Sequence, residues 1–301
     1  MYKIISFIII VPLYLFSLLP IRVHYFLSRF LFFIIGRVFG YRRSTVIINI
    51  SRAFPNYKYN KVEETMKKFY ENLSQIIAED IRAISYSKRK ISQMAQIENP
   101  DIIKNFHDKG IALIIVCGHI CNWELCTKID LFTNAEAIGY AGNELKFIYK
   151  RQRFRLSDTI IRWIRSMNTG SNIELIDSKG AARAILKNGE KPGCYFMVAD
   201  QAPSSKSKFA VKFLNQDTLM INGPEFLSRS AGCPVVYAEM LRKCRGQYII
   251  RFHEITSDPA SCDPGYITSK YASLLESSIR ANPDTWLWSH RRWKKGVNGL
   301  V

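Results

Sequence analysis

The chain has few acidic residues, and it lacks internal repeats, low-complexity tracts and any obvious linker. Its 25 Asp and Glu stand against 43 Lys and Arg, so the expected neighbour is a polyanionic surface, either nucleic acid or anionic lipid. With 301 residues, 48% of them hydrophobic, the chain is too apolar for disorder and long enough for one large domain or two small ones. We expect a single globular core with attachments.

Charge is absent from the first apolar run, residues 4–20. As a helix, this run of 17 residues reaches about 25 Å, slightly less than the roughly 30 Å hydrocarbon core of a bilayer. A membrane-spanning helix is therefore possible but marginal. No small-residue cleavage site follows the run, which argues against the alternative of a secretory signal peptide.

The next segment, residues 21–41, is apolar but carries arginine at three positions, Arg22, Arg29 and Arg37. Their spacing places all three on one stripe of a helix, as in helices that lie in the membrane interface. We expect residues 1–43 to form a hydrophobic membrane anchor and residues 44–301 to form the main domain. Only Lys3 precedes the apolar run, so the positive-inside bias places the main domain in the cytoplasm.

The seven cysteines are an odd number, which favours reduced thiols over a disulfide framework. Cys117, His119, Cys121 and Cys126 invite a zinc interpretation. Their spacing differs from the usual Cys-x2-Cys pairs, and no second pair follows at the required distance. Buried, small hydrophobic side chains explain these cysteines better.

From residue 111 onwards, apolar runs of strand length alternate with helical stretches. Strands are predicted at residues 111–117, 136–140, 173–176, 194–199, 234–240 and 248–252. Helices are predicted at residues 157–167, 179–187, 224–231 and 266–281, and a long amphipathic helix is predicted after a cap formed by Asn60 and Glu63. This alternation predicts an α/β fold with a mixed, mostly parallel central sheet flanked by helices.

His119 follows the most apolar predicted strand, after Gly118. Ligands of open α/β sheets bind beyond the carboxyl ends of strands, so this is a position for a functional side chain. Glu124 lies five residues later, too far round a continuous helix to meet His119. The two can pair if His119 lies in the turn and Glu124 in the first helical turn, with Asn122 as the helix cap.

A carboxylate on one imidazole nitrogen leaves the other nitrogen free to deprotonate a hydroxyl. The sequence lacks a Gly-x-Ser-x-Gly nucleophile elbow, so the simplest reaction is direct attack of an acceptor hydroxyl on a thioester, with His119 as base. The alternative is that His119 and Glu124 have only structural roles.

The segment Gly118-His119-Ile120-Cys121-Asn122-Trp123-Glu124 resembles the Gly-His-x-x-Asn-Trp-Glu block of the lipid A biosynthesis acyltransferases, the lauroyl and myristoyl transferases of the lysophospholipid acyltransferase superfamily. The resemblance covers nearly the whole chain. Other similar blocks are Asn49 to Pro55, Asp200-Gln201, Asn222-Gly223-Pro224 and the ending Trp286-Leu287-Trp288-Ser289-His290-Arg291-Arg292.

The resemblance implies His119 and Glu124 as catalytic residues, an acyl-carrier-protein thioester as donor and a glycolipid hydroxyl as acceptor. It implies the cytoplasmic face of a bacterial inner membrane as location, with no metal or organic cofactor. Lys150 looks like the counterpart of a family arginine that binds substrate phosphate or oxyanion. The chain departs from the family pattern there, because Arg151 replaces a proline and Arg153 adds charge.

Further candidate substrate contacts are Asn122, Asp200 and Gln201. Asp200 ends the predicted strand 194–199 and therefore lies on the same sheet edge as His119. His290 is a rival base, but the alternation around it indicates a half-buried strand with aromatic packing.

Three functions remain open. The first is secondary acylation of a lipid A precursor. The second is the same chemistry on a lysophospholipid, aminolipid or phosphatidylinositol mannoside. The third is a basic membrane-associated protein that binds anionic lipid or nucleic acid. The sequence contains no recognisable nucleic-acid module, and we expect no nucleic acid as a partner.

Overall fold

The N-terminal third of the protein is helical. The structure, a computed structural model, describes residues 2–170, 173–187, 192–203 and 209–293. Its first helices are α1 (Tyr2–Ser17), α2 (Ile21–Phe33), α3 (Arg43–Ala53) and α4 (Tyr59–Ala83), with a π-helical turn at Ile34–Val38 after α2. The long helix α4 confirms the amphipathic helix predicted from sequence, but its N-cap residue is Lys58 and makes no side-chain capping bond. The predicted cap at Asn60 is therefore wrong, because Glu63 pairs instead with Arg43 and Lys67 at 4.0 and 3.5 Å.

Helices α1 and α2 contain the apolar segments of the predicted anchor. No single helix among the described residues has the length and apolar composition to cross a membrane, whereas the pair Ile8–Ser17 and Ile21–Gly36, bent by 115°, has both when taken together. Large apolar side chains on this pair face outwards, with Phe26 70% exposed. Arg22 and Arg29 are exposed as well, while the side chain of Arg37 lies outside the described part of the chain. The division at residue 43 stays a prediction.

The centre of the protein is a seven-stranded sheet. Its strands are β1 (Ala95–Ile97), β2 (Leu113–Cys117), β3 (Leu145–Tyr149), β4 (Glu174–Asp177), β5 (Cys194–Val198), β8 (Val235–Cys244) and β9 (Gln247–Thr256), and a separate hairpin is formed by β6 (Ala210–Phe213) and β7 (Gln216–Leu219). The order across the large sheet is β1-β9-β8-β2-β5-β3-β4. The strands β8, β2, β5, β3 and β4 run parallel, whereas β9 is antiparallel to β8 and parallel to β1. This confirms the predicted mixed, mostly parallel sheet.

Helices flank the sheet. The remaining ones are α5 (Lys88–Ser92), α6 (Asp101–His107), α7 (Arg155–Ser166), α8 (Ala181–Lys187), α9 (Gly223–Ala231) and α10 (Tyr266–Ala281). Five of the six predicted strands and all four later predicted helices are present, with bounds shifted by a few residues in most cases. Strand β2 is buried along its whole length, as expected for a central parallel strand.

One of these six strands is wrong, and so is the half-buried strand predicted around His290. Residues 136–140 contain the 3-10 helix Ala135–Ile138, which ends at Gly139 with a positive φ of 83°. Trp286 forms only an isolated bridge to Ile120, after the 3-10 turn Pro283–Thr285. Trp286 and Trp288 are nevertheless buried and packed edge to face, so the aromatic packing predicted there is confirmed. In both segments the apolar side chains pack in the core, but the backbone does not pair with a neighbouring strand of the sheet.

Candidate active site

Two neighbouring parallel strands bring His119 and Asp200 together. In the register of β2 and β5, Cys117 stands opposite Val198. His119 and Asp200 each lie two residues beyond this pair, at the carboxyl edge of the sheet. This confirms the predicted shared edge, which follows from the parallel direction of the strands.

The Asp200 carboxylate holds His119. The two groups meet at 2.5 Å between Nδ1 of His119 and Oδ1 of Asp200, and the backbone N–H of His119 donates to Oδ2 at 2.8 Å. The indole N–H of Trp286 donates to the same Oδ2 at 2.8 Å. Burial acts to raise the pKa of Asp200, but the charge and hydrogen bonds of His119 and the bond from Trp286 outweigh it and lower the pKa to about 2. The ionised carboxylate therefore keeps the imidazole proton on Nδ1 and leaves Nε2 as the basic nitrogen.

The Nε2 atom of His119 faces a cavity of about 570 Å³. The amide Nε2 of Gln201 lies 3.1 Å from it, within reach to donate a hydrogen bond to the free nitrogen. The ring of Trp123 packs edge to face against the imidazole, with 5.0 Å between centroids. The basic nitrogen is thus positioned from three sides and accessible from the cavity.

The predicted pairing of Glu124 with His119 is wrong. Glu124 instead accepts two hydrogen bonds from Arg165, both at 2.7 Å, and one from the Trp123 indole at 3.1 Å. The residues after Asn122 form a 3-10 helix, Trp123–Leu131, which directs Glu124 towards α7 while Asp200 occupies Nδ1 of His119. Burial acts to raise the pKa of Glu124, but Arg165, with smaller contributions from Trp123 and His119, lowers it overall. Glu124 is therefore an ionised carboxylate near His119.

Asn122 is the N-cap residue of the 3-10 helix Trp123–Leu131, as predicted, but its side chain makes no capping bond. That side chain is fully buried and donates to Glu79 at 3.1 Å. Glu79 also accepts from Tyr25 of α2 and Tyr248 of β9, at 3.0 and 2.6 Å. Asn122 is thus part of a buried network, and its predicted substrate contact has no support from its position.

The basic residues after β3 form one side of the cavity entrance. Lys150, Arg151 and Arg153 line the cavity that contains His119, and all three are exposed. The Nε atom of Arg151 lies 3.5 Å from the buried carboxylate of Asp158. The structure therefore places the predicted anion-binding residues Lys150 and Arg153 in the lining of the cavity that contains His119.

Arg165 and Trp286 are the site residues that sequence reasoning missed. The bidentate pair of Arg165 with Glu124 joins residues 41 positions apart, and no local pattern identifies it. An arginine beside Ile161 and Ile164 in a predicted amphipathic helix was the only available signal.

His290 does not act on the cavity side in this structure. Its Nε2 accepts the backbone N–H of Ala202 at 3.2 Å, and burial lowers its pKa to about 4. It is a neutral acceptor that fixes the loop after β5. Within the described ranges, no cluster of three or more His, Cys, Asp or Glu side chains is arranged to hold a metal ion.

A second cavity, of about 370 Å³, adjoins the first. Its walls are mostly apolar side chains from α4, α7 and the C-terminal segment, Leu73, Ile76, Ile77, Ile81, Ile84, Ile161, Ile164 and Leu287. The two cavities share Trp123, Glu124, Thr127 and Arg165. The Glu124–Arg165 pair therefore lies between the cavity that contains His119 and the apolar cavity.

The sequence matches known proteins over most of its length. The family model of the bacterial lipid A biosynthesis acyltransferases matches residues 1–295. The lipid A biosynthesis palmitoleoyltransferase of Escherichia coli (strain K12) is 20% identical over 256 residues, covering 84% of this chain and 79% of the relative. The lipid A biosynthesis lauroyltransferase of the same organism is 23% identical over 265 residues, covering 86% and 81%. The chain belongs to the bacterial lipid A biosynthesis acyltransferase family and is an acyltransferase.

Proposed function

We propose that the protein transfers a fatty acyl chain from an acyl-carrier-protein thioester to a hydroxyl of a lipid A precursor, in a late secondary acylation. The observation that carries this proposal is the His119–Asp200 pair, whose free nitrogen faces the cavity of about 570 Å³. A base in this state suits deprotonation of a hydroxyl.

The reaction follows from the positions of the donors and acceptors. The acceptor hydroxyl takes the place of the Gln201 amide at Nε2 of His119 and gives its proton to that nitrogen as its oxygen attacks the thioester carbon. The tetrahedral intermediate then collapses, the carbon–sulfur bond breaks, and the imidazolium returns the proton to the leaving thiolate. Asp200 stabilises the imidazolium throughout because it stays ionised.

Arg165 and Gln201 supply hydrogen bonds to the developing oxyanion. The Nε and Nη2 atoms of Arg165 are bound to Glu124, while Nη1 makes no hydrogen bond to another described residue. A fixed, partly buried guanidinium at the boundary of the two cavities is a preorganised donor, and such donors are commonly worth about 10² to 10³ in rate. Glu124 contributes by orienting this guanidinium and by adding negative charge near His119.

The cavity that contains His119 suits a phosphorylated acceptor, and the apolar cavity suits the acyl chain of the donor. The basic entrance formed by Lys150, Arg151 and Arg153 fits the phosphate of a glycolipid, since ammonium and guanidinium groups bind phosphate. The apolar cavity fits the acyl chain, where each buried methylene contributes about 0.8 kcal/mol.

The location that we propose is the bacterial inner membrane, with the catalytic domain on the cytoplasmic face. The bent apolar pair α1–α2 and its exposed Phe26 and Phe30 support contact with lipid. Arg22 and Arg29 would face anionic headgroups.

The test uses purified full-length protein with acyl-carrier-protein thioesters and a lipid A precursor. We expect acylated product from the wild type and a loss of at least about 10²-fold in His119→Ala. Retained activity in His119→Ala would overturn the mechanism. Product formed only from a lysophospholipid, aminolipid or phosphatidylinositol mannoside would move the function to that acceptor.

Lipid A from a strain that lacks the protein provides the cellular test. A lipid A lighter by one acyl chain in mass spectrometry supports the proposal. Unchanged lipid A with an altered phospholipid profile contradicts it.

A further inference from the structure

A buried lysine lies beneath the end of the helix that carries Arg165. Lys128 is only 5% exposed. Its ammonium donates to the carbonyl oxygens of Ile164 and Arg165 at 3.3 and 3.2 Å and to that of Met167. These carbonyls belong to the last turn of α7 and its C-cap residue, where the regular i+4 backbone donors run out; that of Ile164 also accepts the backbone N–H of Met167 at 3.3 Å. Lys128 therefore caps α7 from a neighbouring element.

The cap and the ion pair originate from the same short segment. Glu124 and Lys128 are four residues apart in the 3-10 helix Trp123–Leu131. Glu124 binds the side chain of Arg165, and Lys128 binds its backbone carbonyl. These two contacts hold the side chain and the backbone of Arg165, and together they fix the position of its guanidinium relative to His119.

We propose that Lys128 is a positioning residue for acyl transfer, fixing the C-terminal end of α7 so that Arg165 meets Glu124 at the boundary of the two cavities. The inference rests on the proposed function, because it requires Arg165 to act on the reacting carbonyl.

The buried charge of Lys128 lowers the stability of the fold, which favours a role in positioning α7 over a role in stabilising the protein. Burial lowers its pKa to about 8, against the opposing charges of Asp80, Asp130 and Glu124. Asp80 comes from α4, and Asp130 and Glu124 come from the segment of Lys128 itself. The pKa in the folded state lies below that of an unfolded lysine, so the charged form costs stability below about pH 8 and stability rises as pH increases from there. A favourable interaction with the negative end of the α7 dipole offsets part of this cost.

The first experiment compares Lys128→Met, Lys128→Arg and Lys128→Gln in the purified full-length protein. We expect Lys128→Met to keep its thermal midpoint within a few degrees and to lose kcat by about 10- to 10²-fold, because small misplacement of a catalytic group has effects of this size. Lys128 also lines the apolar cavity, so kcat is measured at saturating thioester, and KM for the acceptor should change much less than kcat. Lys128→Arg should recover most of the loss, since it restores a cation at the helix end. Lys146→Met is the matched control: Lys146 is also a buried lysine, 9% exposed, and lies 3.6 Å from Glu174. This control should keep wild-type kcat.

The second experiment is a double-mutant cycle of Lys128→Met with Arg165→Gln. If Lys128 acts through Arg165, its substitution costs less than about 2-fold in kcat once Arg165 is absent. Additive losses, or wild-type kcat in Lys128→Met, would overturn the inference. If Lys128→Met does not fold, the cycle is run with Lys128→Gln and the same criterion applies.

The outcomes separate this inference from the proposed function. Full activity of Arg165→Gln removes the role given to Arg165 in the reaction, and with it the basis of this inference. A defect in Arg165→Gln together with normal Lys128 variants leaves the proposed function intact and removes only the role of Lys128.

Discussion

At the scale of single residues, Asp200 organises the site. It accepts hydrogen bonds from the ring and backbone of His119 and from the indole of Trp286. The imidazole is thereby fixed in position and tautomer before substrate arrives. A glutamate five residues after the histidine was the natural partner from sequence, yet the aspartate on the next strand makes the contact.

Replacing Asp200 by Asn should reduce kcat by roughly 10² to 10⁴-fold, because a neutral amide can neither hold the Nδ1 proton reliably nor stabilise the imidazolium. Steady-state acyl transfer measures the effect. Asp177→Asn is the control, since Asp177 also ends a parallel strand, β4, but among the described residues its carboxylate accepts hydrogen bonds from its neighbours Ser178 and Lys179. Equal losses in both variants would contradict the assignment.

The same residue predicts an acid dependence of stability. The folded-state pKa of Asp200 is about 2, below its ordinary 3.8, so the ionised carboxylate stabilises the fold above about pH 4. This contribution, about 2 kcal/mol by the size of the shift, is lost as pH falls through 4 towards 2. Near-UV circular dichroism during acid titration should show a smaller decline in Asp200→Asn than in the wild type. A parallel decline in both proteins would show that Asp200 does not set this range.

At the scale of elements, the parallel sheet was readable from sequence because its inner strands are continuous apolar runs. Strand β3, residues 145–149, was missed since it contains Lys146 and follows a region of 3-10 turns. At the site, sequence placed His119 and Asp200 on one edge because strand direction alone decides it. It did not find the Glu124–Arg165 pair, because that contact depends on how α7 packs against the 3-10 helix Trp123–Leu131.

The junction between β2 and α10 permits no side chain at residue 118. A Cβ on Gly118 would lie 2.5 Å from Cδ1 of Leu275, whose side chain is fully buried. Gly118→Ala should therefore destabilise the fold by about 1–3 kcal/mol and displace His119. Thermal unfolding should show that Leu275→Ala and Gly118→Ala together cost less than the sum of the two. Gly36→Ala, where the nearest atom is in the Tyr70 ring at an ordinary 3.8 Å, should be nearly neutral.

The apolar cavity between α4 and α7 should decide which acyl chains fit. Ile161 lines it, whereas its neighbour Ile160 does not. Ile161→Phe reduces the space, so we expect the ratio of kcat/KM for long over short acyl thioesters to fall by at least several-fold. Ile160→Phe should leave the ratio unchanged. An unchanged ratio in Ile161→Phe would place the acyl chain elsewhere.

At the scale of the whole molecule, charge and apolar surface occur together at the N-terminal helices. The formal net charge is +18, and two of the positive groups, Arg22 and Arg29, lie on α2 among exposed phenylalanines. Helix α2 also bonds to α4, where the hydroxyl of Tyr25 donates to Glu79 at 3.0 Å. Glu79 holds Asn122, at the start of the 3-10 helix that carries Glu124. Helix α2 is thus connected to the candidate site by two hydrogen bonds.

Neutralising the arginines of α2 tests whether this face meets anionic lipid. Each arginine near a leaflet contributes about 1 kcal/mol, so Arg22→Gln with Arg29→Gln should weaken binding to phosphatidylglycerol-containing vesicles by roughly 30-fold, measured by co-sedimentation. Binding to pure phosphatidylcholine vesicles should change little, and high salt should reduce the difference because it screens exposed charges. Lys109→Gln with Lys179→Gln removes the same charge outside α1 and α2 and is the control. An equal loss of binding in this control would show that the effect comes from net charge alone. Unchanged binding of the arginine variant would mean that the apolar surface of α1 and α2, without these arginines, is sufficient for vesicle binding.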